Sequence, residues 1–306
     1  METAVIVIAG PTCSGKTALA IELASKLKTE IISADSRQVY KYLNIGTAKP
    51  TETQTKKVKH HLIDYLNPDE NYNASKFSVE ATKVISQLQM EGKIPIVVGG
   101  SGLYIKALVY GIIDEVEVDE DYRNELYELR KKYGNEFLYN ELKKVDPESA
   151  DKMLPQNWKR IIRALEVFHL TGKTIGYFHS TQKKKENYHF KQYGLQWERS
   201  KLYKNIDDRV DNMIANGLVD EVKSILAMGY DKKINALNTV GYKEIIFYLE
   251  SEISLDKAVE LIKRNTRHFA KRQLTWFKKD QRIKWFNIHE FTQLDQIAGE
   301  IILSLN

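Results

Sequence analysis

The eight residues Gly10, Pro11, Thr12, Cys13, Ser14, Gly15, Lys16 and Thr17 constrain this chain more than any other stretch. They satisfy G-x-x-x-x-G-K-[ST] and lie between an apolar run, Ala4 to Ala9, and a helix-like segment, Ala18 to Leu27. A strand before and a helix after are the context in which that spacing forms a phosphate-binding loop. Backbone N–H groups of such a loop converge on phosphate oxygens, and the following helix adds its positive end. Lys16 supplies a point charge, Thr17 a hydroxyl for Mg²⁺, and Gly10 and Gly15 let the backbone curl close to the anion. The motif leaves the phosphate compound open. A small-molecule kinase and a non-catalytic nucleotide-binding RNA module both fit such a loop.

Alternation of elements extends the reading. Leu19, Leu23 and Leu27 recur at spacing four, so the helix buries one face against a sheet. Glu30 to Ala34 and Ile94 to Val98 read as further buried strands, with a helix over Ser75 to Glu91 between them. The second strand ends in Asp35, Ser36, Arg37 and Gln38, the third in Gly99, Gly100 and Ser101. Polar and glycine chemistry at successive strand ends predicts a parallel sheet with helices on both faces and a ligand crevice at the carboxyl edge. Asp35 and Ser36 also suit a turn cap, and the His60-His61 pair reads as structural rather than metal-binding.

Composition shifts after residue 112, where acidic sequence from Asp114 to Asp121 precedes strongly helical sequence to Val145 and a helix over Asn157 to Leu170. We therefore expect an all-helical insertion at 113–189 within an α/β core formed by 1–112 and 190–306. Lys183 to Glu186 reads as a solvated loop, and Phe190 to Trp197 returns the chain to the sheet. One long helix is expected from Ser200 to Met228, with Arg209 either facing the crevice or paired to Asp208 or Asp211 on the surface. Near the C-terminus Lys263-Arg264, Arg267-His268 and Lys271-Arg272 recur at helical spacing beside Trp276 and Phe277. A cationic helix face with interleaved aromatics fits RNA, and equally an ordinary solvated face.

The 306 residues carry a formal charge of +5 and a pI near 8.9, which suits a polyanionic partner without requiring one. With 42% hydrophobic residues, no apolar run of membrane-spanning length and no secretory leader, the expectation is a cytoplasmic protein without membrane contact. The single cysteine, Cys13, excludes an internal disulfide and any cysteine-based zinc site.

The segments GPTCSGKT, SADSRQVY, NIGTAKP, VVGGSGLY, RALEV, VGYKE and KRQLTWF occur in this order across nearly the whole chain. Together they resemble the tRNA dimethylallyltransferases, also called tRNA isopentenyltransferases, of bacterial type. The resemblance implies a P-loop-type core with a helical insertion, and transfer of a dimethylallyl group from dimethylallyl diphosphate to N6 of the adenosine just 3′ of the anticodon. It implies Mg²⁺ as cofactor, held through Thr17, and the anticodon stem-loop of tRNA as partner, with the protein a monomer. Asp35 becomes the general base, Ser101 the residue assisting at the acceptor amine and Arg209 a stabiliser of the leaving diphosphate. Contacts to tRNA are implied at Asp35, Ser36, Arg37, Gln38 and Ser101, at Arg123, and at Lys159, Arg160, Ile161, Ile162 and Arg163. They are further implied at Asn238, Thr239, Val240, Gly241, Tyr242 and Lys243, and at Lys271, Arg272, Gln273, Leu274, Thr275, Trp276, Phe277 and Lys278. Three positions depart from the family pattern: Cys13 stands where alanine is usual, Ser101 where threonine is usual, and Lys278 for a commoner arginine. The last keeps charge and loses the bidentate fork.

Overall fold

The computed structural model describes residues 4–112, 116–181 and 188–305. The Lys183 to Glu186 segment and part of the acidic run at Asp114 lie outside them. The chain divides into two compact units, one made of Met1–Val109 with Glu186–Asn306, the other of Tyr110–Lys185, where the sequence reading places 113–189.

The first unit begins β1 (Val5–Ala9), α1 (Lys16–Leu27), β2 (Ile31–Ser33), α2 (Glu52–Lys57), β3 (His60–His61), α3 (Ala74–Met90), β4 (Ile96–Gly99) and α4 (Gly102–Tyr110). The second unit contributes α5 (Glu120–Val145), α6 (Pro147–Ala150), α7 (Trp158–Thr171) and α8 (Ile175–Thr181). The first then resumes with β5 (Phe190–Trp197), α9 (Arg199–Ala215), α10 (Leu218–Ala227), α11 (Tyr242–Leu249), α12 (Leu255–Phe277), β6 (Ile283–Ile288) and α13 (Leu294–Leu303).

Six strands form one wholly parallel sheet in the order β3-β2-β4-β1-β5-β6. Every residue of β1 is fully buried, as the central strand of a sheet covered on both faces must be. Its neighbours β4 and β5 align Ala9 with Gly99 and with Gly194, so β1 and β4 finish at one level while β5 runs on to Trp197. Although β4 separates β2 from β1, the turn that follows Ser33 lines the same cavity as the phosphate loop. A Cβ on Gly99 would stand 2.0 Å from the Ala34 carbonyl oxygen, so glycine is what lets the ends of β2 and β4 converge.

Two differences from the sequence reading have local causes. The expected helix from Ser200 to Met228 is two, α9 and α10, because Gly217 adopts φ 93°, a left-handed conformation that ends α9. Strand β6 is an addition; Phe286 and Ile288 face the core from it, and Ile283 is buried at its start. The histidine pair has structural partners: His61 Nε2 lies 2.6 Å from Glu30 and His60 Nδ1 lies 2.7 Å from the Val58 carbonyl. Burial pushes the Glu30 carboxyl up, but bonds from His61, Lys93 and Lys59 outweigh it and hold the group down at about 2.

In the second unit, α5 is interrupted at Gly134, and its two halves pack with α6 and α7 around Leu126, Leu138, Leu142, Ile161 and Leu165. Glu166 is fully buried there and accepts hydrogen bonds from the guanidinium groups of Arg123 and Arg163 and from the Asp119 N–H. No helix among the described residues is long and apolar enough to cross a membrane.

Candidate active site

The loop between β1 and α1 takes the shape its spacing predicts. Gly10 and Gly15 sit at φ 142° and 92°, and Cys13 joins them at φ 61°. Alternation of left- and right-handed residues turns successive N–H groups toward one point, which makes an anion cradle at the start of α1. The loop is braced from outside. The Trp197 indole N–H donates to the Ser14 carbonyl at 3.0 Å, Ser14 Oγ donates to the Pro11 carbonyl at 2.9 Å, and the Phe291 ring packs against Gly15.

Lys16 is buried, and its ammonium donates back to the Pro11 carbonyl at 2.5 Å. Burial lowers its pKa to about 8, against the opposing pull of Cys13 and Asp35, and Arg209 lowers it further. An arriving polyanion restores the charged form. Diphosphate affinity therefore falls as pH rises through about 8, where the uncomplexed lysine loses its proton. The protein alone has the opposite sign: a lysine depressed from 10.5 leaves the unfolded chain binding the extra proton, so this group adds stability between about pH 8 and 10.5. Calorimetric titration of diphosphate across that window checks the prediction; affinity unchanged to pH 10 removes Lys16 from the anion site.

Arg209 settles its two readings in favour of the crevice. From α9 its guanidinium donates to Thr12 Oγ1 at 3.0 Å, to Cys13 Sγ at 3.6 Å and to the Thr47 carbonyl at 3.4 Å. Of the two acids weighed as surface partners, Asp211 pairs with Lys263 at 2.6 Å, and Asp208 lines the same cavity as Arg209 without an ion pair to it. Asp35, at the end of β2, accepts the Arg37 and Gln38 N–H groups on Oδ1 at 2.8 and 3.4 Å. Its Oδ2 has no hydrogen-bond partner among the described residues.

Lys16, Thr17, Asp35, Gln38 and Arg209 line one cavity of about 1200 Å³. The cavity lies within the first unit, and its wall reaches Gly100. Ser101 falls just beyond: its Oγ accepts the Ser36 N–H at 3.0 Å and so pins the Asp35 turn. That bond supports the turn that carries the carboxylate and leaves the Ser101 hydroxyl proton free to donate.

Several residues that the resemblance assigns to tRNA have buried or committed side chains. Ile161 and Ile162 face the core of the helical unit, because they share a helix face with Leu165. Arg123 and Arg163 are tied to Glu166, and Phe277 is buried. Gln273 receives the Thr12 N–H at 2.8 Å and donates to the Gly100 carbonyl at 2.9 Å, which joins the phosphate loop to the end of β4. Tyr242 is fully buried with its hydroxyl on Glu221. By contrast Lys159, Arg160, Asn238, Lys243, Lys271, Arg272, Thr275 and Lys278 are exposed. Trp276 is 37% exposed, with its indole edge against Gly102. Nothing local flags Gln273, Trp197 or Glu221, since each acts on a partner more than a hundred residues away.

An anion cradle after the central strand β1, an arginine beside it and a carboxylate after β2, on the far side of β4, mark a P-loop-type α/β protein whose cavity suits a phosphate ester near an acid–base group. The family described as IPP transferase matches residues 38–280. The tRNA dimethylallyltransferase of Acetivibrio thermocellus is 47% identical over 299 residues, covering 97% of this chain and 96% of the relative. That of Carboxydothermus hydrogenoformans is 47% identical over 305 residues, covering 99% and 97%. Among solved structures, the tRNA isopentenylpyrophosphate transferase of Bacillus halodurans superposes with a TM-score of 0.73 at 37% identity, covering 99% of this chain and 97% of that one. A eukaryotic dimethylallyltransferase acting on tRNA gives a TM-score of 0.82 at 28% identity, covering 99% of this chain and 78% of that one. The chain belongs to the tRNA dimethylallyltransferase family and is an enzyme of the prenyl transferase class.

Proposed function

We propose that this chain transfers the dimethylallyl group of dimethylallyl diphosphate to N6 of the adenosine immediately 3′ of the anticodon in tRNA. The observation that carries the reading is the shared cavity, with the phosphate loop and Arg209 at one wall and the unpaired Asp35 oxygen at another. The allylic C–O bond breaks, its electron pair leaves on diphosphate, and N6 bonds to the allylic carbon. The N6 proton passes to Asp35 Oδ2.

Charge develops on diphosphate as the C–O bond lengthens, so loop N–H groups, Lys16 and Arg209 stabilise the transition state more than the substrate. Exocyclic adenine nitrogen is a weak nucleophile that turns acidic on alkylation, which is where a carboxylate base contributes. Thr17 lines the cavity, and its hydroxyl has no protein hydrogen bond among the described residues, which fits a ligand to Mg²⁺. A Mg²⁺ ion held there would supply charge that offsets the diphosphate. A stacked base cannot reach such a cavity, so the target adenosine is extruded from the anticodon loop. Exposed Lys159 and Arg160 on the helical unit, and Lys243, Lys271, Arg272 and Lys278 on the core unit, suit phosphate contacts along the anticodon stem-loop.

Mass spectrometry of nucleosides after incubating the protein with tRNA and dimethylallyl diphosphate tests the reading. The expected product is an adenosine heavier by one C₅H₈ group, located beside the anticodon. Prenylation of free AMP in preference to the anticodon stem-loop would overturn it.

A further inference from the structure

We infer that Glu221 is a positioning residue for the transfer reaction, holding the loop Asn44–Lys49 so that the loop aims Arg209 and Gln38 into the cavity. The inference rests on the proposed function. The carboxylate of Glu221, on α10, accepts three successive backbone N–H groups: Asn44 at 3.1 Å, Ile45 at 2.8 Å and Gly46 at 3.2 Å. It also accepts the Tyr242 hydroxyl at 2.6 Å. Consecutive N–H groups turned to one point make a concavity suited to an anion, and here the chain fills it with its own carboxylate. The Tyr242 ring closes the other side, since a Cβ on Gly46 would lie 2.3 Å from it. Burial and the neighbouring Glu221 charge both raise the Tyr242 pKa, so the phenol remains a donor at working pH.

The opposite edge of the clamped loop faces the chemistry. The Thr47 carbonyl accepts from Arg209 at 3.4 Å and from the Gln38 amide at 3.2 Å, and the Ala48 carbonyl accepts from Gln38 at 3.1 Å. Gln38 follows directly on the Asp35 turn and donates its own N–H to Asp35 Oδ1. One carboxylate outside the cavity lining thus fixes the loop on which both the diphosphate-binding arginine and the base-bearing turn lean.

A double-mutant cycle on turnover tests this. Glu221→Gln keeps the shape and removes the charge; we expect kcat to fall about tenfold, with the tRNA dissociation constant within about twofold of the parent. In an Arg209→Ala background the same change should cost clearly less than in the parent, because one of the two groups being positioned is gone. Tyr242→Phe, which removes a single hydroxyl, should show the same non-additivity at smaller size, and it decides the matter if Glu221→Gln does not fold. Equal losses in both backgrounds overturn the inference while leaving the proposed function standing. Absence of any transfer by the unaltered protein sinks the proposed function, and this inference with it.

Discussion

Asp35→Asn lowers the rate of dimethylallyl transfer by about 10²–10⁴-fold, the range in which a positioned general base contributes, while tRNA binding stays within about twofold. Asparagine is the informative replacement. Asp35 uses Oδ1 to accept the Arg37 and Gln38 N–H groups, and an amide oxygen can take over both bonds, so the turn survives. What is lost is the second oxygen, the one with no partner among the described residues, which becomes an NH₂ that cannot accept a proton. Single-turnover transfer followed by nucleoside mass spectrometry, beside filter binding of tRNA, separates the two effects. Loss of binding with turnover per bound complex unchanged would make Asp35 a recognition residue instead.

Arg209→Ala lowers kcat by about 10²–10³-fold, the scale of removing one preorganised donor from developing negative charge. Its guanidinium is already oriented by Thr12 Oγ1 and the Thr47 carbonyl, so little reorganisation is needed when diphosphate departs. Arg209→Lys should recover only part of this loss, because a single ammonium cannot span both partners as the planar fork does. A rise in KM for dimethylallyl diphosphate with kcat intact would show that Arg209 binds substrate and product alike and does not favour the transition state.

The basic C-terminal helix shows how far charge pattern alone can lead. Its recurrence predicts a cationic face, yet Lys263 and Arg267 are spent on Asp211 and Asp207 of α9, and Gln273 turns inward to the phosphate loop. Exposed on α12 are Arg264, Lys271 and Arg272, along with Lys257, which pairs with Glu260. In the helical unit the same division separates exposed Lys159 and Arg160 from Ile161 and Ile162, whose burial follows from the spacing they share with Leu165. Arg123 and Arg163 carry charges that Glu166 has claimed from within.

The phosphate loop, the strands that flank it and the delivery of Asp35 to a strand end were legible in residue order, because each depends on neighbours a few positions apart: glycine spacing, apolar runs and a strand-to-turn boundary. Even the break at Gly217 was written locally, in a glycine able to adopt left-handed φ. Only the folded chain decided that Arg209 turns to the crevice, that Gln273 bridges Thr12 and Gly100, and that Glu221 grips Asn44 to Gly46. Those choices join partners more than 150 residues apart, and which of several donors meets a given acceptor is fixed by packing, on which local sequence has no bearing.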